Sequence, residues 1–398
     1  MNTNSFDQVG RALLTTPSFY ALVAFVPSWM GYLSDMIHWD SASLLAQSSF
    51  GVFVVTLVVA TVLHVRLLLA DPIDLESFSV PRSLVIWLGL VGLAGCLIYL
   101  RDMASKFGGL GILWILYTGD PLAIREAQQD FSSIGTQLSY FGWVSAGLAA
   151  VRLGQGRGGF SDTALIVVQA LMNVVFIDRT RPIWVIFTCV IAFIISRRSL
   201  SVGTIGRTLG IVGILGVGFF VGFSMLTGKV VEDRGDPFRD AIFSLVYYFT
   251  NAFPYLAHII DQDGVHDYVP KAILTPLFQA LAPLGLVDPP PPRILPFLNV
   301  PFSTNVGTGL EPFFNDGGFA YLCLGMIVYS FGLNAIGTWM LRHGGALGLI
   351  AWAHTCFTAF MCFFTPKINS APYWLMLIIG FGGFLLQRSR LLHSRGQS

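Results

Sequence analysis

The residues able to do chemistry gather at a few places, each a cluster of polar groups set against oily sequence. The turn Asp178-Arg179-Thr180-Arg181-Pro182 places two guanidinium groups within five residues. Arginine presents a planar fork that grips phosphate oxygens in pairs and stays charged at any working pH. Arg179 and Arg181 are therefore candidates for a diphosphate head group. The other reading of this turn is interfacial anchoring, with Asp178 as counter-charge. The second place is Asn305-Val-Gly-Thr308-Gly-Leu-Glu311-Pro-Phe-Phe-Asn315-Asp316-Gly317-Gly318, just before an apolar run. Backbone N–H groups and a helix N-terminus at such a mouth suit an anion or a sugar. Glu311 and Asp316 are placed to act as general base or to hold a sugar hydroxyl. Asn305 and Thr308 offer glycan contacts. A capping turn with Asp316 near the N-cap is the alternative, and the two roles can coexist.

A third group is Tyr247, Tyr248, Asn251 and His258. Positions 247, 251, 254 and 258 follow the three-to-four spacing of one helix face. A polar stripe on an oily helix fits a groove or a sugar contact, with His258 as a third base candidate; a satisfied buried histidine is the other reading. Arg125, in Pro121-Leu-Ala-Ile-Arg125-Glu126, and Arg239 complete the cationic candidates, each also readable as a solvated charge. The chain has no Walker loop, dinucleotide fingerprint, HExxH or nucleophile elbow. His258 and His266 form no recognisable ligand cluster with cysteines, so neither a metal nor a cofactor is expected.

What must position these groups follows from composition. Of 398 residues 54% are hydrophobic and only 11% charged, against about 25% charged in soluble domains. So few charges cannot solvate a surface of this size, which argues against a soluble enzyme or a disordered scaffold. The net charge of +1 leaves no basic footprint for nucleic acid. The expected fold class is an all-α polytopic membrane protein, a single transmembrane domain over 1–398.

Ten apolar segments approach the roughly 20 residues a spanning helix needs. They centre on 12–34, 48–69, 83–100, 133–151, 162–177, 182–196, 208–228, 317–341, 345–364 and 370–387. Recurrent glycines at 210, 213, 216, 218 and 222 suit close helix packing in lipid. With both termini cytoplasmic, the inner segments hold 12 basic and 5 acidic residues and the outer ones 11 basic and 17 acidic. This satisfies the positive-inside rule. Two outer loops result: 101–132, and a large one over 229–316 stiffened by Pro289–Pro292. Phe107–Thr118, Ala241–Ile260 and Ala272–Val287 read as interfacial or re-entrant covers over an outward-facing site. The first apolar run reads as a span and not as a cleavable signal. The five cysteines fall within spans and read as small buried hydrophobes rather than a disulfide framework.

Taken together, these residues resemble the bacterial oligosaccharide repeat-unit (O-antigen, Wzy-type) polymerases. The resemblance covers most of the chain: about ten spans, cytoplasmic ends and one dominant late outer loop. It is carried by the Arg-Thr-Arg-Pro turn, by Tyr247–Ala257 (YYFTNAFPYLA) and by the Asn-x-x-Thr…Asp-x-Gly pattern of Asn305–Gly325. One departure is Gly317, where an aromatic commonly follows the Asp. The resemblance implies a multi-span, lipid-phosphate-dependent (GT-C type) glycosyltransferase of the bacterial inner membrane. Its donor and acceptor would be polyprenyl-diphosphate-linked oligosaccharides, joined on the outer leaflet without nucleotide sugar or metal. A chain-length regulator protein is an expected partner. Arg179 and Arg181 would bind diphosphate, helped by Arg125 or Arg239; Asp316, Glu311 or His258, in that order, would be the base.

Two rivals stand beside this reading. An O-antigen ligase shares donor and architecture, but a more basic outer loop is expected to face an anionic core. Residues 229–316 carry five basic and ten acidic residues, which favours the polymerase. A lipid-linked oligosaccharide flippase or polysaccharide exporter would place charges near the bilayer midplane and show related halves; apart from His354 the span interiors are almost free of ionisable groups.

Overall fold

Apolar runs of this length fold as helices because a backbone removed from water must satisfy its own N–H and C=O groups. The computed structural model describes residues 3–34, 37–40, 42–73, 79–106, 109, 133–176, 178, 180–197, scattered positions between 203 and 222, 236–262, 264, 266–292, 295–300 and 302–395. The described chain is mostly helical. Its helices are α1 (Thr3–Leu14), α2 (Pro17–Leu33), α3 (Leu44–Ala70), α4 (Arg82–Lys106), α5 (Ile134–Gly154), α6 (Phe160–Met172) and α7 (Thr180–Ile195). Then come α8 (Pro237–Thr250), α9 (Ala252–Gln262), α10 (Thr275–Leu281), α11 (Glu311–Ile327), α12 (Leu333–His343), α13 (Gly345–Phe360) and α14 (Ala371–Arg395). A π turn, Val328–Gly332, joins α11 to α12. Strands β1 (Leu298–Asn299) and β2 (Ser303–Thr304) pair antiparallel, Leu298 opposite Thr304.

Four of these stretches are long and apolar enough to cross a membrane: α3, α4, the continuous run Glu311–His343, and Gly345–Phe363. The pair Gln8–Leu14 and Pro17–Leu33, bent by 75°, makes a fifth if it counts as one span. Helices Phe160–Phe176 and Thr180–Ile195 are apolar but shorter. This is the build of an all-α membrane protein. The expected segments 208–228 and Phe107–Thr118 lie largely outside the described residues.

The chain divides into two compact units. The first comprises Met1–Ile73, Val246–Gly344 and His354–Ser398; the second comprises Asp74–Leu245 and Gly345–Ala353. The chain leaves the first unit after residue 73, returns at 246, and leaves it again over 345–353.

The second unit is built on glycine. In α4, Gly89, Gly92 and Gly95 lie along one face, and an added Cβ at Gly92 would stand 2.3 Å from the Cα and N of Gly142 in α5. At Gly135 of α5 it would stand 2.5 Å from the Gly95 oxygen. Two helix backbones meet directly here, as small residues allow in lipid. Ser145 Oγ donates to the Val85 oxygen at 2.6 Å, and Gln169 Nε2 to the Gly89 oxygen at 2.9 Å. The glycines expected to pack, at 210, 213, 216, 218 and 222, lie in a stretch largely outside the described residues; at 210, 213, 218 and 222 an added Cβ meets no described atom within 4 Å.

The first unit has an aromatic core. Phe25 of α2 sets its ring 4.9 Å from Phe53 of α3 and 5.0 Å from Phe253 of α9, both edge-on, the geometry preferred by ring quadrupoles. Beside this core runs a polar network where α1 breaks from α2. The last carbonyls of α1 accept from side chains: Arg11 O from Thr15 Oγ1, Ala12 O from Thr16 Oγ1 and Leu14 O from Tyr20 OH. At the start of α2 the Ser18 N–H donates to Asn334 Oδ1 at 2.8 Å, while Asn334 Nδ2 donates to Ser18 Oγ at 2.9 Å. Thr61 of α3 joins through Ser18 at 2.9 Å. Backbone groups that the break would orphan thus find partners. Further along α3 and α12, His64 bonds Thr338 at 2.8 Å, and Arg342 pairs with Asp71. His64 is an ionisable group inside an apolar helix, as is His354 of α13.

Two elements differ from expectation. Ala241–Ile260 is not one helix: α8 ends at Thr250 and α9 starts at Ala252. Pro254 has no N–H to give the Thr250 carbonyl, so the helix stops, and the stripe 247–258 is shared between two helices. The late span is entered earlier than expected: a helical turn, Glu311–Asp316, with Pro312 where proline costs nothing, precedes a break at Gly317-Gly318, after which the apolar helix runs on from the expected position.

Candidate functional site

The carboxylate group lies in the first unit. Gly317 and Gly318 interrupt α11, and Gly318 adopts φ +57°, ψ −144°, a conformation open essentially to glycine alone. An added Cβ at Gly317 would meet the Tyr321 ring at 2.4 Å, and one at Gly318 would meet His266 at 2.9 Å. The double glycine, where an aromatic was expected, is what lets these two rings close over the kink. It also sets Glu311–Asp316 apart as a helical turn ahead of the longer apolar helix.

Asp316 is buried and fully engaged. Its Oδ1 and Oδ2 accept from Ala272 N at 2.9 and 3.0 Å, and Oδ2 also accepts from Ile273 N at 2.8 Å. These are orphan donors of the turn leading into α10, so Asp316 caps a segment far away in sequence instead of its own helix. Asn369 Nδ2 donates to the Ala272 oxygen at 3.0 Å, Tyr321 OH to the Tyr268 oxygen at 2.9 Å, and the His266 ring contacts the Asn315 oxygen at 3.2 Å. The segment 266–274 is thereby pinned to the turn at several points, with Lys271 paired to Asp288 at 3.2 Å.

Glu311, one turn earlier, is 3% exposed. Its N–H donates to the Thr308 oxygen at 3.1 Å, and its carboxylate accepts from Asn315 Nδ2. A Cβ at Gly307 would stand 2.5 Å from Glu311 Cγ, so that side of the acid admits no side chain. Thr308 Oγ1 accepts from Leu310 N at 3.3 Å, and Asn305 is half-buried.

The tyrosine group stands in the same unit. Tyr247 is buried against Trp39, ring centroids 5.5 Å apart, and donates to the Ser303 oxygen at 2.7 Å. Burial pushes its hydroxyl up from the usual phenol range, keeping it a neutral donor. Asn251 is buried at the α8–α9 break, and Tyr248 sets its ring 5.8 Å from Phe364. His258 is half-buried and bonds Gln262 of its own helix at 2.7 Å. Tyr247, Asn251 and Thr308 are buried, whereas Tyr248 and Asn305 are half-buried.

The cationic group lies in the second unit. Arg181, in the first turn of α7, stacks over Phe176 at 3.9 Å and lies 5.2 Å from the Tyr140 ring centroid. Its Nη2 donates to Tyr140 OH at 3.0 Å, while Nη1 is buried without a hydrogen-bond partner. Asp178 Oδ1 accepts from Thr180 N at 2.9 Å and from Thr180 Oγ1 at 2.6 Å; among the described residues Arg181 has no ion pair. Arg239 is exposed and pairs with Asp236 at 3.4 Å. Arg125 and Arg179 lie outside the described residues.

Four cysteines are buried and free; Cys323, expected to be buried, is exposed on α11. Among the described residues no three His, Cys, Asp or Glu side chains are grouped to hold a metal. Asn315, His266, Tyr321 and Asn369 do not stand out in the sequence. The one signal for them is the Gly317-Gly318 pair, which announces a backbone approached closely by something. Comparison with protein-family models, curated proteins and solved structures finds no significant match to this chain.

Proposed function

We propose that the chain is a glycosyltransferase of the bacterial inner membrane, polymerising polyprenyl-diphosphate-linked oligosaccharide repeat units into O-antigen or a related surface polysaccharide on the outer leaflet. In the transfer an acceptor sugar hydroxyl forms a bond to the donor's anomeric carbon. The bond from that carbon to the diphosphate oxygen breaks, the diphosphate leaves with the electron pair, and the hydroxyl proton passes to a carboxylate. Arg181, with Arg179, Arg125 or Arg239, would hold the departing diphosphate. A carboxylate of the Glu311–Asp316 turn, or His258, would take the proton. Tyr247, Tyr248, Asn251, Asn305 and Thr308 would shape the glycan path.

The observation that carries this reading is Arg181. Among the described residues this guanidinium stands beside aromatic rings with a buried N–H that meets no acceptor and with no ion pair, a setting suited to binding an anion. The test is deletion of the gene followed by gel analysis of surface glycan. Single-repeat product with polymer lost is the expected outcome; complete loss of attached glycan would replace polymerase by ligase.

A second reading is transport of the lipid-linked glycan. It is favoured by the 75° break between α1 and α2 with its polar network, since discontinuous helices build transporter sites. Repeat units accumulating on the inner leaflet of the deletion strain would select it.

A further inference from the structure

Glu311 poses a problem that stability does not solve. Its carboxyl is buried, and among the described residues no Lys, Arg or His lies within ion-pair distance. The charged and titratable groups facing it are Asp316 on its own turn, Tyr255 from α9 and Tyr329 from the π turn. None is a cation. An unpaired buried carboxyl is costly, and a leucine or glutamine of similar volume would sit there more cheaply. One group relieves it: Asn315, four residues on, donates Nδ2 to the carboxylate. Asn315 is itself exposed, and its backbone oxygen is held by the His266 ring at 3.2 Å. The amide therefore reaches from the solvated face of the turn to the carboxylate inside it. Asp316, by contrast, spends its carboxylate on the Ala272 and Ile273 amides.

We propose that Asn315 is the positioning residue of Glu311, holding that carboxylate as the proton acceptor of the transfer while Asp316 serves only to pin the 266–274 segment. This rests on the glycosyltransferase reading for the acid–base role. The Asn315–Glu311 pairing itself is read from the fold alone. Asparagine suits this role because a neutral donor fixes the carboxylate's rotamer without neutralising it, as a lysine would.

The experiment uses the full chain in native membranes. The probe is dicyclohexylcarbodiimide, an apolar reagent that couples to protonated carboxyl groups, with modification of Glu311 followed by mass spectrometry. Asn315→Ala removes the bond that favours the charged form, so at a pH high enough that the wild-type carboxyl is mostly ionised, labelling accelerates about three- to tenfold, the loss expected of one hydrogen bond. Asn315→Asp sets a like charge beside Glu311 and accelerates it further. Equal rates in wild type and both variants, including no labelling in any, overturn the proposal. Both substitutions fall on an exposed side chain, so the chain is expected to fold. Polymer synthesis forms the second arm. Glu311→Gln should abolish chain growth, and Asn315→Ala should lower kcat about tenfold with KM for the lipid-linked unit unchanged, as loss of alignment does. Asp316→Asn should lower KM-limited and maximal rates together by loosening the segment. Full chain growth in Glu311→Gln would sink the acid–base reading while leaving the labelling result to decide the pairing.

Discussion

A guanidinium ringed by aromatic carbon and, among the described residues, without an ion pair costs free energy where it stands. Stacking on Phe176 at 3.9 Å returns about 2 kcal/mol, and the bond to Tyr140 returns less than an ion pair would. Arg181→Lys separates charge from shape. Lysine keeps the cation but loses the flat face and the fork. The protein should reach wild-type levels in the membrane while chain growth falls about tenfold or more, the effect of losing one charge-assisted hydrogen bond of about 1.5–3 kcal/mol. Polymer of normal length and amount at equal expression would remove Arg181 from the mechanism. Arginine in a short turn against the charge trend was legible in the sequence, because its type and setting alone are unusual. Asn315 was not, because an asparagine beside Asp316 looks like ordinary turn chemistry until Glu311 is seen to be buried without a cation.

At the scale of elements, hydropathy located the helices well and their interruptions poorly. The run 12–34 reads as one span, yet Pro17 opens a new helix after Thr16 and the chain turns by 75°. Proline at a first helical position was visible in the sequence; the partner that makes the break tolerable was not. Asn334 lies 316 residues from Ser18, and periodicity gives faces, never distant partners. The glycines repeat the lesson in a testable form. Gly92 packs backbone to backbone against Gly142, with no flexible atom to yield. Gly92→Ala should therefore lower the yield of folded protein and the unfolding midpoint in detergent, by about the 1–3 kcal/mol typical of overpacking. Gly382→Ala in α14, where a Cβ meets no described atom within 4 Å, should leave both unchanged or slightly raised through helix propensity. Equal behaviour of the two variants would mean that α4 and α5 do not meet as described.

For the molecule as a whole, a net charge of +1 conceals an asymmetry from which an orientation is proposed: a surplus of arginine on segments assigned inside and of acid on those assigned outside. The proposed chemistry depends on that assignment, because a diphosphate-linked glycan on the outer leaflet would reach Glu311 and Asp316 only if the loop before α11 faces outward. Two exposed positions far apart in the chain test it. Asn299→Cys lies on β1 and Ser389→Cys on the last turns of α14, in a background where the exposed Cys323 is replaced by serine. A membrane-impermeant maleimide applied to cells with a permeabilised outer membrane should label position 299 at once and position 389 only after lysis. The arginines near the end of α14 should hold that end inside, since short basic flanks resist translocation. The reverse pattern would place both carboxylates on the cytoplasmic face, beyond reach of any outer-leaflet acceptor, and would exclude polymerase and ligase together. Transport, which needs access from both faces, would then be the reading that survives.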